Sequence, residues 1–130
     1  MRILIVDDEL VGRTLLRKIA SPYGEIDMAV NGREAIEAFR LAWEEGNPYD
    51  LIFLDIMMDE MDGREALRII RKHEEDRGIY GRKRVKVIMT TAKDDSSSVL
   101  NSFREGCEGY IVKPVEKEKV EKVMRELELI

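Results

Sequence analysis

Five short apolar runs recur along the 130 residues, each followed by a stretch with helical periodicity. The runs are ILIV (3–6), EIDMAV (25–30), LIFL (51–54), VKVIMT (85–90) and YIV (110–112). Runs this short and this continuously apolar are the mark of strands buried on both faces. Between them, Val11, Leu15 and Ile19 mark one face of a first helix that stops near Ser21-Pro22. Asn31 and Glu34 read as a capping box for a second helix, with Ala35, Ile36, Phe39, Ala42 and Trp43 on its apolar side. Asp62 and Glu65 read as the cap of a third, which uses Ala66, Leu67 and Ile70. The polar stretch 73–84 reads as a longish loop or frayed helix end. Asp94, Asp95 and Ser96 offer caps for a fourth helix with Val99, Phe103 and Cys107 inward. Val120, Val123, Met124 and Leu127 form the stripe of a fifth.

Strict βα alternation predicts an α/β fold: a five-stranded parallel sheet, (βα)5, doubly wound, with helices on both faces. Right-handed crossovers leave few topologies, and strand order 2-1-3-4-5 is a common solution. In such sheets ligands sit beyond the carboxyl ends of the strands, where the order reverses, here between strands one and three. Those ends carry the chemistry. Strand one ends in Asp7-Asp8-Glu9, strand three in Asp55, strand four in Thr90-Thr91-Ala92 and strand five in Lys113-Pro114. Three crowded carboxylates repel unless a cation joins them. A hard divalent ion suits oxygen donors, and Mg2+ takes one or two carboxylates while bridging to phosphate. With a lysine and a threonine hydroxyl alongside, the set suits a phosphoryl group carried on, or passing through, an aspartate.

Bulk composition narrows the function classes. The net charge is −5, against the basic footprint of a nucleic-acid-binding domain. Cys107 is alone, so no internal disulfide forms and its simplest role is packing. No apolar run approaches the roughly 20 residues of a membrane span, and no leader is expected before the first strand. A cytoplasmic setting without membrane insertion is expected. The chain stops at Glu-Leu-Ile soon after the last helix, which leads to the expectation of one domain over 1–130 with no output domain.

VDDE (6–9), LDIMM with MDG (54–58 and 61–63), MTTA (89–92) and GYIVKP (109–114) together resemble the four signatures of the receiver domain of two-component response regulators, the CheY-like, flavodoxin-like fold. The resemblance covers nearly the whole chain, in order. It implies that Asp55 accepts a phosphoryl group from a histidine of a partner kinase or phosphotransfer protein. It implies that Asp8 binds Mg2+ (or Mn2+) together with Asp55, that Asp7 holds the ion largely through water, and that the Met57 carbonyl adds a ligand. Thr91 becomes the switch hydroxyl, Lys113 the partner of the acids and then of the phosphoryl oxygen, and Tyr110 the aromatic whose rotamer follows Thr91. The Lys113-Pro114 bond is expected to be cis. The resemblance implies a signalling protein that catalyses at most its own phosphorylation and a slow self-dephosphorylation. It signals through the fourth helix, fifth strand and fifth helix to a target protein or a second copy of itself, without touching nucleic acid.

Plainer readings stand beside these. Asp7 and Asp8 also suit a helix cap, Lys113 a surface lysine and Tyr110 a packing residue. Thr90 reads as structural, and His73 as a solvated residue rather than a phosphodonor. Met57 and Lys93, two positions after Asp55 and Thr91, offer no acceptor to a hydrolytic water, which implies a long-lived phosphorylated form. The family usually has proline where this chain has Asp59, which is expected to point to solvent. Asp59 keeps open an atypical receiver that works independently of phosphorylation. An aspartyl-phosphate hydrolase is the other alternative, although such enzymes carry Asp-x-Asp on the first strand. A flavodoxin-type cofactor binder would need a phosphate loop where Asp7-Asp8-Glu9 stands.

Overall fold

The computed structural model describes residues 1–92 and 96–130, apart from the side chains of Ser96 and Ser98. Five strands and five helices alternate: β1 (Arg2–Val6), α1 (Leu10–Ala20), β2 (Glu25–Ala29), α2 (Gly32–Glu44), β3 (Leu51–Asp55), α3 (Gly63–Asp76), β4 (Lys86–Thr91), α4 (Ser96–Glu105), β5 (Gly109–Val112) and α5 (Lys117–Glu126). All pairings are parallel, in the order β2-β1-β3-β4-β5. The doubly wound sheet and its strand order are those the sequence predicts.

The pleat sends alternate residues to opposite faces, and two cores result. Leu4, Val6, Ile52, Leu54, Val87 and Met89 meet α2 and α3 on one face. Ile3, Ile5, Leu51, Phe53, Ile88 and Ile111 meet α1 and α5 on the other. Every residue of the central β3 is buried, as a strand covered by helices on both sides must be. Both predicted caps form. Asn31 accepts from the Glu34 N–H at 2.8 Å, and Asp62 from the Glu65 N–H at 3.0 Å. The Lys113-Pro114 bond is cis.

Two helices differ from expectation. Helix α1 faces inward with Leu16 and Ala20, not with Val11, which is 78% exposed, nor Leu15, which is also exposed. Its phase is set by Gly12 lying over Asp7, so the inner stripe runs Gly12, Leu16, Ile19, Ala20. Helix α4 turns Ser102 inward, Cys107 is buried just past its end, and Phe103 is 42% exposed. The expected caps Asp94 and Asp95 lie outside the described residues.

The stretch 73–84 is a helix end followed by a loop, as expected, and buried residues anchor it at two points. Helix α3 runs to Asp76, and Glu74 and Ile79 are buried. Glu74 is held by Arg71 at 2.6 Å and by the Val85 N–H at 2.8 Å. Arg71 also binds Glu108 at 2.8 Å and the Gly106 carbonyl at 2.9 Å. This network ties α3 to the entry of β4 and the loop before β5. His73 is only partly solvated: its ring packs edge-on against Phe39 at 5.3 Å, and Nε2 is buried. Burial, with Arg77 and Arg40 nearby, lowers its pKa.

Candidate functional site

Strand register brings the site together. Val6 pairs with Leu54 and Asp55 with Thr90, while Thr91 pairs with Val112. Asp7, Asp55 and Lys113 therefore each stand at or one step past a strand end, Asp7 and Asp55 on the adjacent β1 and β3, and Lys113 on β5, beyond β4. By the alternation of the pleat all three share the phase of the α1/α5 face. Thr91 and Tyr110 have the opposite phase, toward α4.

Lys113 Nζ donates to Asp55 Oδ2 at 3.0 Å and stands 3.4 Å from Asp7 Oδ2. Asp55 Oδ1 accepts from the Met57 N–H at 3.3 Å. Asp55 is 2% exposed and Asp7 1%, whereas Asp8 is exposed. One carboxylate oxygen from each of the three lies within 4.8 Å of the others. Asp7 Oδ1 accepts from the Glu9 N–H at 2.9 Å, but its buried Oδ2 has no hydrogen-bond donor.

Burial pushes the Asp55 carboxyl up to about 6, against the pull of the Lys113 hydrogen bond and charge. Asp7 adds to the rise, and the Met57 N–H opposes it. Burial also opposes the Lys113 charge. The Asp55 hydrogen bond and the charges of Asp55 and Asp7 outweigh it, so its pKa lies above the ordinary value. One lysine cannot balance three carboxylates. The surplus negative charge, the oxygen-only donors and the orphaned Asp7 Oδ2 fit a small divalent cation of the Mg2+ class.

Each predicted site residue can now be located. Asp7, Asp8, Asp55 and Lys113 come together as expected. Thr91 is buried at the end of β4, and the Lys113 N–H donates to its carbonyl at 2.6 Å. Tyr110 is exposed, and its ring meets that of Phe103 edge-on at 5.9 Å. Met57 is exposed beside the acids. Lys93 lies outside the described residues. Asp59 is exposed, as expected. Glu60 is exposed, has φ +69° and pairs with Arg33 at 3.6 Å.

Sequence reasoning missed three residues that shape the site. Arg13 Nη1 donates to the Asp7 carbonyl at 2.8 Å. A Cβ on Gly63 would stand 2.1 Å from the Asp55 carbonyl oxygen, so only glycine lets α3 start this close to β3. A Cβ on Gly12 would stand 2.3 Å from Asp7 Oδ2. Glycines next to acidic motifs were the available signal, and a helix-period reading passes over them.

The comparisons agree with this geometry. A family model described as the response regulator receiver domain matches residues 3–125. Transcriptional regulatory protein SrrA of Staphylococcus aureus (strain NCTC 8325 / PS 47) is 40% identical over 119 residues, covering 91% of this chain and 44% of that protein. Probable histidine kinase 2 of Oryza sativa subsp. indica is 34% identical over 130 residues, covering 92% of this chain and 12% of that protein. The chain thus spans less than half the length of these curated relatives. Among solved structures, the CheX-CheY-BeF3-Mg2+ complex from Borrelia burgdorferi matches with TM-score 0.84 and 28% identity, over 98% of this chain and 88% of that one. The complex of the Saccharomyces cerevisiae phosphotransfer protein Ypd1 with the Ssk1 receiver domain matches with TM-score 0.81 and 26% identity, over 95% and 86%.

Proposed function

The chain belongs to the response regulator receiver domain family, and on that premise we propose that Asp55 accepts a phosphoryl group from a phosphohistidine on a partner histidine kinase or histidine phosphotransfer protein. The observation that carries this is the buried Asp55 carboxylate, held at 3.0 Å by Lys113 within a cluster of three acids. An Asp55 oxygen attacks phosphorus, the P–N bond breaks, and the histidine leaves with the electron pair. Lys113 then follows the new negative charge from the Asp55 carboxylate to a phosphoryl oxygen. Asp8, Asp55 and the Met57 carbonyl are the proposed ligands of Mg2+, or of Mn2+, with Asp7 acting through water. The bound ion offsets charge on the transferred group.

Approach to the site is open on the α1 side. Leu10 and Val11 are exposed next to Asp8, so the apolar residues that do not pack inward are available to the phosphodonor. Output lies on the other flank. The Thr91 hydroxyl moves toward the phosphoryl group, Tyr110 changes rotamer against Phe103, and the α4-β5-α5 face shifts population between two states. A target protein or a second copy of the chain reads that face. Nucleic acid is not a direct partner, in keeping with the net charge of −5.

The protein is a signalling switch rather than an enzyme acting on others. Met57 and Lys93 give it a slow self-dephosphorylation, since the thioether is only a weak acceptor for water and the ammonium is a donor alone. Among the described residues no helix is long and apolar enough to cross a membrane, and we place the protein in the cytoplasm. Beryllofluoride with Mg2+ tests the switch. Amide resonances of Thr91, Tyr110 and α4 should shift in the wild type and stay put in Asp55→Asn. Shifts confined to the loops around Asp7 and Asp55 would contradict the proposed output face.

A further inference from the structure

We propose that Gly12 is a positioning residue for the cation site: the missing side chain on α1 leaves the recess in which the Asp7 carboxylate lies. The inference rests on the Mg2+ site proposed above and concerns how this chain shapes it. A Cβ at position 12 would stand 2.3 Å from Asp7 Oδ2, 3.0 Å from Cγ and 3.4 Å from Oδ1. The first distance is too short for any real carbon and the second is tight, so either the carboxylate or the helix must move. The neighbour is not a flexible tip that can swing aside. Asp7 is 1% exposed, its N–H donates to the Ala29 carbonyl, its carbonyl accepts from Arg13, and its Oδ1 accepts from the Glu9 N–H.

Glycine is otherwise a poor choice here. It lies inside α1, where it is the weakest helix former after proline. The helix has little to spare at that end: Glu9 makes no side-chain cap and the first turn holds no acid. Packing does not demand glycine either, since the apolar contacts of α1 come from Leu16, Ile19 and Ala20. The one group that a side chain would displace is the Asp7 carboxylate. Its Oδ2 is buried, lacks a hydrogen-bond donor and stands 3.4 Å from Lys113, on the side of the acidic cluster. Gly12 thus fixes how far Asp7 sits back from Asp8 and Asp55.

The test titrates Mg2+ alone into metal-free protein, followed by calorimetry and amide resonances, for wild type, Gly12→Ala, Asp7→Ala and the double variant. Supporting groups of metal ligands commonly change affinity by about tenfold or more. Gly12→Ala should weaken Mg2+ by about that factor in the wild-type background and leave affinity unchanged when Asp7 is already alanine. Half-maximal phosphorylation by a small phosphodonor should need correspondingly more Mg2+, with the rate at saturation retained. If Gly12→Ala does not fold, recovery of folding in the double variant supports the contact, and failure of both overturns it. Unchanged Mg2+ affinity in Gly12→Ala, or an equal loss in both backgrounds, also overturns it while leaving the site intact. A wild-type protein that does not bind Mg2+ would sink the site and this inference together.

Discussion

A carboxylate as buried as Asp55 stays ionised only against resistance. Its pKa is pushed from 3.8 up to about 6, first by burial. Between those values the folded protein holds a proton that the unfolded chain has released. Stability therefore falls as pH rises from about 4 to 6, and the loss persists above that. Asp55→Asn keeps a carbonyl acceptor for Lys113 and removes the buried charge. In metal-free protein it should raise the melting temperature at pH 7.5 by roughly 2–5 °C, with the gain fading below pH 4. A gain equal at every pH would show that the charge is not its source. Residues of this kind were legible in the sequence, because acids, a lysine and hydroxyls at strand ends have few other uses. Gly12 was not, since a glycine inside a helix shows only a propensity penalty, about 1 kcal/mol against alanine. His73 was misread because its neighbours in sequence are polar, while its neighbour in space is Phe39.

Elements were legible where side-chain size reported burial. The strands, α2, α3 and α5 follow their large apolar residues. Helices α1 and α4 do not, because small residues carry their inner faces: Gly12 and Ala20 in one, Ser102 in the other. The apolar residues that were left over, Val11 and Phe103, lie outward, where partners can meet them. The stretch after α3 was obscure for another reason. Its order comes from the Arg71, Glu74 and Glu108 network, and an ion pair between distant segments leaves no periodic trace. Glu74 is 1% exposed, and Arg71 is its closest cation. Removing one member of a buried pair strands the other, at a cost of about 3–5 kcal/mol. Arg71→Ala should lose an amount in that range in urea denaturation. Adding Glu74→Gln should recover part of it, because the neutral amide oxygen still accepts from the Val85 N–H. No recovery would mean that Arg71 acts through Gly106 and Glu108 instead.

For the molecule as a whole, topology joins the residues to the function. Parallel pairing in the order 2-1-3-4-5 puts the ends of β1 and β3 side by side, with β4 and β5 following. The acids and the lysine face the α1 side, and Thr91 and Tyr110 face α4. On the function proposed above, donor approach and output would thus occupy opposite flanks of one site, and a phosphoryl group on Asp55 would touch both. Strand order could be argued from sequence because few topologies satisfy four right-handed crossovers. The distances within the cluster could not, since they depend on close approaches that glycine permits, of Gly12 to the Asp7 carboxylate and of Gly63 to the Asp55 carbonyl. The most direct test is intact-mass measurement after incubation with a small-molecule phosphodonor and Mg2+. One added phosphoryl group is expected on the wild type, with none on Asp55→Asn and none when Mg2+ is chelated. An unmodified wild type, or equal modification of Asp55→Asn, would contradict Asp55 as the phosphoryl acceptor.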